Sequence, residues 1–487
     1  MMRKLFNRGH VDYVAKALCL SGMLLGSASF AQTDPFSSNN GMFPTPDEYN
    51  KGFFNASNLD YPKELPASMW DPRNDFKAPL DQDTAEAYMA AVKKLIEPDM
   101  RTLVENHEAW NAKAAGWYNM VWRGAGQPGK PENPISGREV IMNTNTGQIV
   151  PNVSWAENYR PTPDFTQNYG VIYYNESAAY TLGQVFNDVN EPDPSKMEFP
   201  DGSIVVKIEA ATVQPDEWPW TDDGSPPSVL HRAASWKVYR PTTENQKAYQ
   251  LAKEKHEPLP VLTNVVQTVY PFQLAIKIKD SNAAPETGWV YMGFVYDAGS
   301  DGETAWDRFV PAGLMWGNDP EYATTFAGTP PEGESLKQTW VNDNAPPFVK
   351  DTMGWGGRFA APMDVAVRHN IRIPLTGNDE PPGDGFRVSS CLSCHGAAQF
   401  PFEDNLYPSP DNSFPPPDGD EPFHLYLPGS PDWQRWFQNR AGSESMSAGS
   451  VALDYDLSST IAFMIWRTQK EGGDSFENRL LGIMNGH

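Results

Sequence analysis

The sequence predicts an α+β fold: an N-terminal helical segment, a central and mostly antiparallel β domain, and a C-terminal loop-rich region closed by a terminal helix. Three observations lead there. A long apolar stripe at helical spacing begins near residue 83, four apolar runs with strand character lie between residues 137 and 320, and a second helical stripe begins at Leu457. The 487 residues exceed one compact core, so several regions are expected: 1–31, 32–130, 131–345 and 346–487.

The first region has the layout of an export signal. Arg3, Lys4, Arg8 and Lys16 precede an apolar run from Ala17 to Leu25, and Ser29-Phe30-Ala31 offers small residues for cleavage after Ala31. The run is too short to remain as a membrane helix, and no later stretch reaches the ~20 apolar residues needed. A periplasmic protein without a transmembrane anchor is therefore expected. Cys19 falls within the removed segment.

Residues 32–80 are polar and rich in Pro and Asn, an extended lead-in that wraps around other structure. Asp83 to Asn111 follows as the first helix. Asp83 is the expected N-cap, Tyr88, Val92, Leu95 and Ile96 form the buried stripe, and Pro98 should break or kink it. A second segment from Asp99 to about Ala115 follows that break. The Gly/Pro-rich stretch 124–136 marks a boundary.

In the central region, Gly170–Tyr174, Ser203–Ile208, Phe272–Ile278 and Trp289–Tyr296 are rich in β-branched and aromatic residues and largely alternate. Asp201-Gly202 and Asp301-Gly302 supply turns. The acidic segment Asp297–Asp307 lacks the spacing of a calcium loop and is expected as a solvated turn. Toward the C-terminus, Trp433–Asn439 is an expected short helix. Leu457–Gln469 is an amphipathic helix with Ser458 or Ser459 near its N-cap and Leu457, Ile461, Met464 and Ile465 on one face. No internal repeat is present.

Composition limits the function classes. The chain carries 38 Lys and Arg against 62 Asp and Glu, a formal charge of −24, and loss of the four basic groups in residues 1–31 makes it more acidic. Such a field disfavours nucleic acid and anionic lipid. The acidity serves solubility, and whatever steering it exerts favours a basic partner. Forty-five Pro, 38 Gly and 12% aromatic residues describe a loop-rich globular protein with an aromatic core. The sequence leaves the oligomeric state open.

The chemistry-bearing motif is Ser390-Cys391-Leu392-Ser393-Cys394-His395-Gly396, which contains C-x-x-C-H. Cys391 and Cys394, three residues apart, sit on one helical turn where each can form a thioether to a haem vinyl group. His395 can then offer its imidazole to the iron. Zinc would need four ligands, and the chain has neither a second Cys pair nor a closely spaced His pair. A thiol–disulfide oxidoreductase should carry the motif at the head of a long helix after a buried strand. Here Pro381-Pro382-Gly383-Asp384-Gly385 precedes it and Pro401 soon follows. The expected cofactor is therefore one covalent haem c, in the compartment where the export signal would deliver the chain.

The second axial position decides between electron carrier and ligand-binding or catalytic iron. Met446, in the Gly/Ser-rich run Ala441–Gly449, is the first candidate, with Met464, His369 and His424 as alternatives. Arg358, in Gly354-Trp355-Gly356-Gly357-Arg358, could pair with a haem propionate or serve a structural salt bridge. The expected function is one-electron transfer with a redox partner protein. The alternative is a haem enzyme or ligand-binding protein with an open iron.

The haem motif, the upstream Gly-Trp-Gly-Gly-Arg and the downstream Leu453-Asp454-Tyr455-Asp456-Leu457-Ser458 together resemble large exported proteobacterial monohaem cytochromes c, over roughly the C-terminal third. A weaker resemblance touches the β region. Phe199-Pro200-Asp201-Gly202-Ser203 followed by Val205-Val206-Lys207, then Ile278-Lys279-Asp280-Ser281 and Gly288-Trp289-Val290-Tyr291, are similar to the cytochromes named for a 460-nm haem band. That resemblance implies a sheet ahead of C-x-x-C-H and an open haem that oxidises small nitrogen compounds. This chain departs from it by placing about a hundred residues between the two parts and by lacking the small-cytochrome helix before the motif.

Overall fold

A computed structural model describes residues 43–52, 56–66, 76, 78–121, 139, 141–152, 155, 157–220, 224–254, 257–364, 387, 389–402 and 428–471. The expected signal segment, the boundary at 124–136, Cys19, His369 and His424 lie outside these residues, as does about half of the lead-in. Within them the fold is α+β and is organised around one antiparallel sheet.

That sheet has eight strands: β1 (Asn145–Pro151), β2 (Phe165–Tyr174), β3 (Ile204–Ala211), β4 (Trp236–Arg240), β5 (Val265–Lys279), β6 (Trp289–Tyr296), β7 (Phe309–Met315) and β8 (Thr339–Val341). Their order is β1-β2-β3-β5-β6-β7-β8, with β4 paired to the first part of β5. All four expected strands are present, and the run Trp289–Tyr296 matches β6 end to end. The 15-residue β5 is the spine, since β3, β4 and β6 all pair with it.

Register assigns the two faces. Lys277 lies opposite Val205 on β3 and Tyr291 on β6, so Tyr174, Lys207, Lys277 and Tyr291 share one face. Val206, Ile208, Leu274, Ile276 and Met292 point to the other. The apolar face is covered in part by helix α1 (Ala85–Glu105). The Tyr88 hydroxyl donates to Asp280 Oδ2 at 2.8 Å, Lys93 Nζ donates to the carbonyls of Trp306 and Phe309, and Arg101 pairs with Asp307. The acidic turn is thus partly used in helix docking.

Three expectations for this helix are corrected. Thr84 is the N-cap, and the turn before it is closed by Asp81, whose carboxylate accepts from Thr84 N–H. Leu95 is 39% exposed, and the buried stripe instead runs through Tyr88, Met89, Val92, Ile96, Met100 and Leu103. Pro98 sits inside one continuous helix. An interior proline costs ~3 kcal/mol, but apolar residues are buried on both sides of it, and each such side chain contributes about 1.5–3 kcal/mol on burial. Packing outweighs the lost hydrogen bond.

Two further helices, α2 (Glu176–Val185) and α3 (Thr243–Glu254), follow β2 and β4, and a short α4 spans Phe348–Asp351. The C-terminal region then adds α5 (Cys391–His395), β9 (Gln399–Phe400), α6 (Pro431–Trp436), β10 (Val451–Ala452) and α7 (Leu457–Glu471). Strands β9 and β10 pair antiparallel, and Phe400 stacks on Phe463 of α7 with ring centroids 4.9 Å apart. The cap of α7 is Asp456, which accepts from Ser459 N–H at 3.0 Å, so Ser459 lies near the cap and bonds to it. No helix among the described residues is long and apolar enough to cross a membrane.

The polar face of the sheet is covered by the segment that leads to α5. Gly293 and Gly313 lie side by side in β6 and β7, and the Phe359 ring occupies the space above them. A Cβ on Gly313 would stand 2.7 Å from that ring and 2.6 Å from the Trp340 carbonyl. Gly313→Val should therefore destabilise the protein by about 1–3 kcal/mol, as overpacking does. A shift in the denaturant midpoint measures this, and an unchanged midpoint would contradict the packing.

Candidate functional site

The turn α5 is built by local hydrogen bonds and then fixed from outside. Ser390 Oγ accepts from Ser393 N–H at 3.1 Å while Ser393 Oγ accepts from Ser390 N–H at 2.8 Å, a reciprocal capping box. Ser390 Oγ also bonds Asn318 Oδ1, and Cys391 N–H donates to the Phe359 carbonyl at 3.2 Å. The last bond links the turn to the residue seated on the sheet glycines. Helix α5 is one turn long.

Between Ser389 and Gln399 every residue is buried except Cys391, Cys394 and His395. Leu392 and Ser393 are buried, and the two cysteines and His395, at i, i+3 and i+4 of the turn, are the half-buried members on its other side. Burial of the surroundings pushes the Cys394 thiol up to about 12 and Cys391 well above the ordinary thiol range, with Asp364 adding to both shifts. Both sulfurs are neutral thiols at pH 7. A disulfide oxidoreductase needs the opposite, a thiol whose proton affinity is depressed.

His395 is held on the sheet side. Its ring packs against Tyr291 with centroids 4.7 Å apart, and Nδ1 lies 3.0 Å from the Tyr455 carbonyl oxygen. A carbonyl has no proton to give, so Nδ1 carries the hydrogen and Nε2 keeps its lone pair. Burial, reinforced by the nearby Lys277 charge, lowers the imidazole to about 3, so the ring is neutral. A neutral imidazole with Nδ1–H committed and Nε2 available is the form a metal requires.

The Tyr455 carbonyl is a shared acceptor. Tyr291 OH donates to it at 2.9 Å and Lys277 Nζ at 3.1 Å, besides His395. Asp454 and Tyr455 both have left-handed backbone, with φ of 43° and 62°. That geometry is uncommon without glycine, and side-chain anchors on either side hold it. Asp454 accepts from Lys279 Nζ, Trp289 Nε1 and Phe199 N–H. Asp456 accepts from Lys277 Nζ at 2.6 Å, from Tyr174 OH and from Ser459. Burial would raise Asp456, but Lys277 beside it holds the carboxyl below the usual range. Burial lowers Lys277 despite its Asp456 partner.

A second polar cluster lies on the same face. Lys207 pairs with Glu209 at 2.8 Å and reaches Asp364 at 3.8 Å. Glu209 also accepts from Asn168 Nδ2 and Gln273 Nε2, and Gln273 Oε1 receives Met363 N–H. The charges of Asp364 and Lys207 both act on the Cys391 thiol.

Arg358 is fully buried and braces loops. Four of its N–H groups are directed at the carbonyls of Asn318, Asp319, Gly328 and Trp355, and its guanidinium stacks on Trp355 and Phe437. That is a structural cross-brace without a carboxylate partner among these bonds, unlike the propionate or salt-bridge roles expected. Met446 is 5% exposed, and its neighbour Ser447 is tied to β9 through both ends of the Gln399 amide. The Gly/Ser-rich run is thereby attached to the strand that follows the Cys391–His395 turn. Met464 is buried on α7.

Sequence reading missed Tyr455, Lys277, Asp456 and Tyr291. The available signals were weak: a lysine at alternate positions of an apolar strand, and Asp-Tyr-Asp immediately before a helical stripe. No family model, curated protein or solved structure matches this chain.

The donor set suits a covalently attached haem c: two thiols for the vinyl groups and an imidazole Nε2 for the iron. The buried Lys277–Asp456 ion pair makes a separate prediction. Lys277→Met should cost about 3–5 kcal/mol because Asp456 is left unpaired, while Lys277→Met/Asp456→Asn should recover most of that loss. Chemical denaturation of the parent, Lys277→Met, Asp456→Asn and the double variant tests this, and strictly additive losses would show that the two groups do not interact.

Proposed function

We propose that this protein is an exported c-type cytochrome that carries one haem c on Cys391, Cys394 and His395 and transfers single electrons in the periplasm. The supporting observation is that those three residues are the half-buried ones in an otherwise buried stretch. When bound, haem c supplies a one-electron Fe(III)/Fe(II) couple. The polypeptide contributes the rest. The thiols anchor, the Tyr455 carbonyl orients His395 and fixes its tautomer, and the sheet holds that carbonyl in place. The electron comes from, or passes to, a redox partner protein, and the acidic chain favours a basic one. The C-x-x-C-H motif and its flanking runs resemble large proteobacterial monohaem cytochromes c, in keeping with this reading.

Expression in a host with haem-maturation machinery should yield a haem-stained band that survives denaturation. Cys391→Ala/Cys394→Ala should abolish it. Retention of covalent haem by that variant would end the reading.

Besides His395, we propose that Met446 would hold the iron through its thioether. The reduced parent protein should then resist carbon monoxide, and Met446→Ala should bind it. A second reading is favoured by the ionic cluster of Lys207, Glu209 and Asp364 near Cys391, which would suit a polar ligand at an open iron. It agrees with the weaker resemblance to cytochromes that oxidise small nitrogen compounds. Rapid carbon monoxide binding by the parent would favour it over the electron carrier.

A further inference from the structure

We propose that Lys277, Asp456 and Tyr291 are positioning residues that set the reduction potential of the bound haem by acting through the Tyr455 carbonyl; this rests on the haem reading of the Cys391–His395 turn. The carbonyl is the hydrogen-bond acceptor of His395 Nδ1–H, and it is also the acceptor of Lys277 Nζ at 3.1 Å and Tyr291 OH at 2.9 Å. A carbonyl oxygen has limited electron density to share. Each added donor draws on that density and weakens the bond to His395. A weaker bond leaves the imidazole less electron-rich and a poorer donor to the metal, which favours Fe(II).

Charge acts in the same direction. The Lys277 ammonium is buried beside the ligand, where water screens it little, and a positive charge there disfavours the more oxidised iron. Asp456, paired with Lys277 at 2.6 Å, opposes that effect with its own negative charge. The pair is therefore a two-sided control: removing the lysine and removing the carboxylate have opposite consequences. Tyr291 is the uncharged third member, and it additionally packs on the imidazole ring. Lys277 and Tyr291 reach the ligand through this backbone oxygen, and Asp456 acts on it through its pairing with Lys277.

The test is the midpoint potential of the haem-loaded protein, measured by spectroelectrochemical titration in which the electrode supplies or removes one electron. Lys277→Met should lower the potential by about a tenfold change in the Fe(III)/Fe(II) equilibrium, about 59 mV for one electron. Asp456→Asn, which keeps the helix cap, should raise it. Tyr291→Phe should lower it by less than Lys277→Met, and Lys277→Arg, which keeps the charge, should leave it near the parent value. Purely structural roles would loosen the site and move all variants the same way. Shifts of one sign for Lys277→Met and Asp456→Asn, or no shift, would overturn the proposal. Tyr291→Phe removes only a hydroxyl and leaves the Lys277–Asp456 pair intact, so it reads the effect even if the charge variants fail to fold. Covalent haem content, assayed on every sample, keeps the two claims apart: a parent without covalent haem refutes the haem reading, whereas haem-loaded variants with unchanged potential refute only the control.

Discussion

The Lys277–Asp456 ion pair ties the C-terminal region to the sheet, and the arrangement around His395 depends on it. Removing two opposite charges from water is costly, and only close contact with further hydrogen bonds offsets that cost. Both conditions are met. Asp456 is bonded by Lys277, Tyr174 and Ser459, and Lys277 has the Tyr455 carbonyl as a second acceptor. The pair spans 179 residues of sequence and joins β5 to the cap of α7. One carboxylate thus starts a helix and docks it.

A pair of this kind specifies position more than it adds stability. An apolar contact between sheet and helix would tolerate sliding, since dispersion and burial have no fixed direction. Charged hydrogen bonds at Asp454 and Asp456 do have direction, and they bracket Tyr455 on both sides. The intervening carbonyl is left with one orientation, toward His395. The left-handed backbone at Asp454 and Tyr455 is the local cost of that constraint.

The second feature of the fold is its use of a charged sheet face as an interior. Strand alternation of apolar and polar residues is ordinarily read as one face in the core and one in water. Here Lys207, Glu209, Gln273 and Lys277 sit on the side that alternation would assign to solvent, and the C-terminal third covers them. The glycines at 293 and 313 provide the close approach for Phe359, whose carbonyl receives Cys391 N–H. Packing on the sheet and placement of the thiols are therefore one event.

The sequence by itself determined the elements whose causes are local. The four strands follow from β-branched alternation, the last helix from its apolar stripe, and the C-x-x-C-H turn from residues all within one helical turn. Tertiary structure decided what local signals cannot encode. Pro98 stays inside a helix because burial on both sides outweighs a lost hydrogen bond, and Leu95 faces solvent because docking chose a stripe rotated from the one expected. Arg358, equally readable as a propionate partner or a salt bridge, became a loop brace because the carbonyls of Asn318, Asp319 and Gly328, all distant in sequence, converge on it beside that of Trp355. The partners of His395 were hidden for the same reason. The Tyr455 carbonyl is a backbone group that every residue possesses, and only the fold, acting through charges far apart in sequence, brings that one to the imidazole.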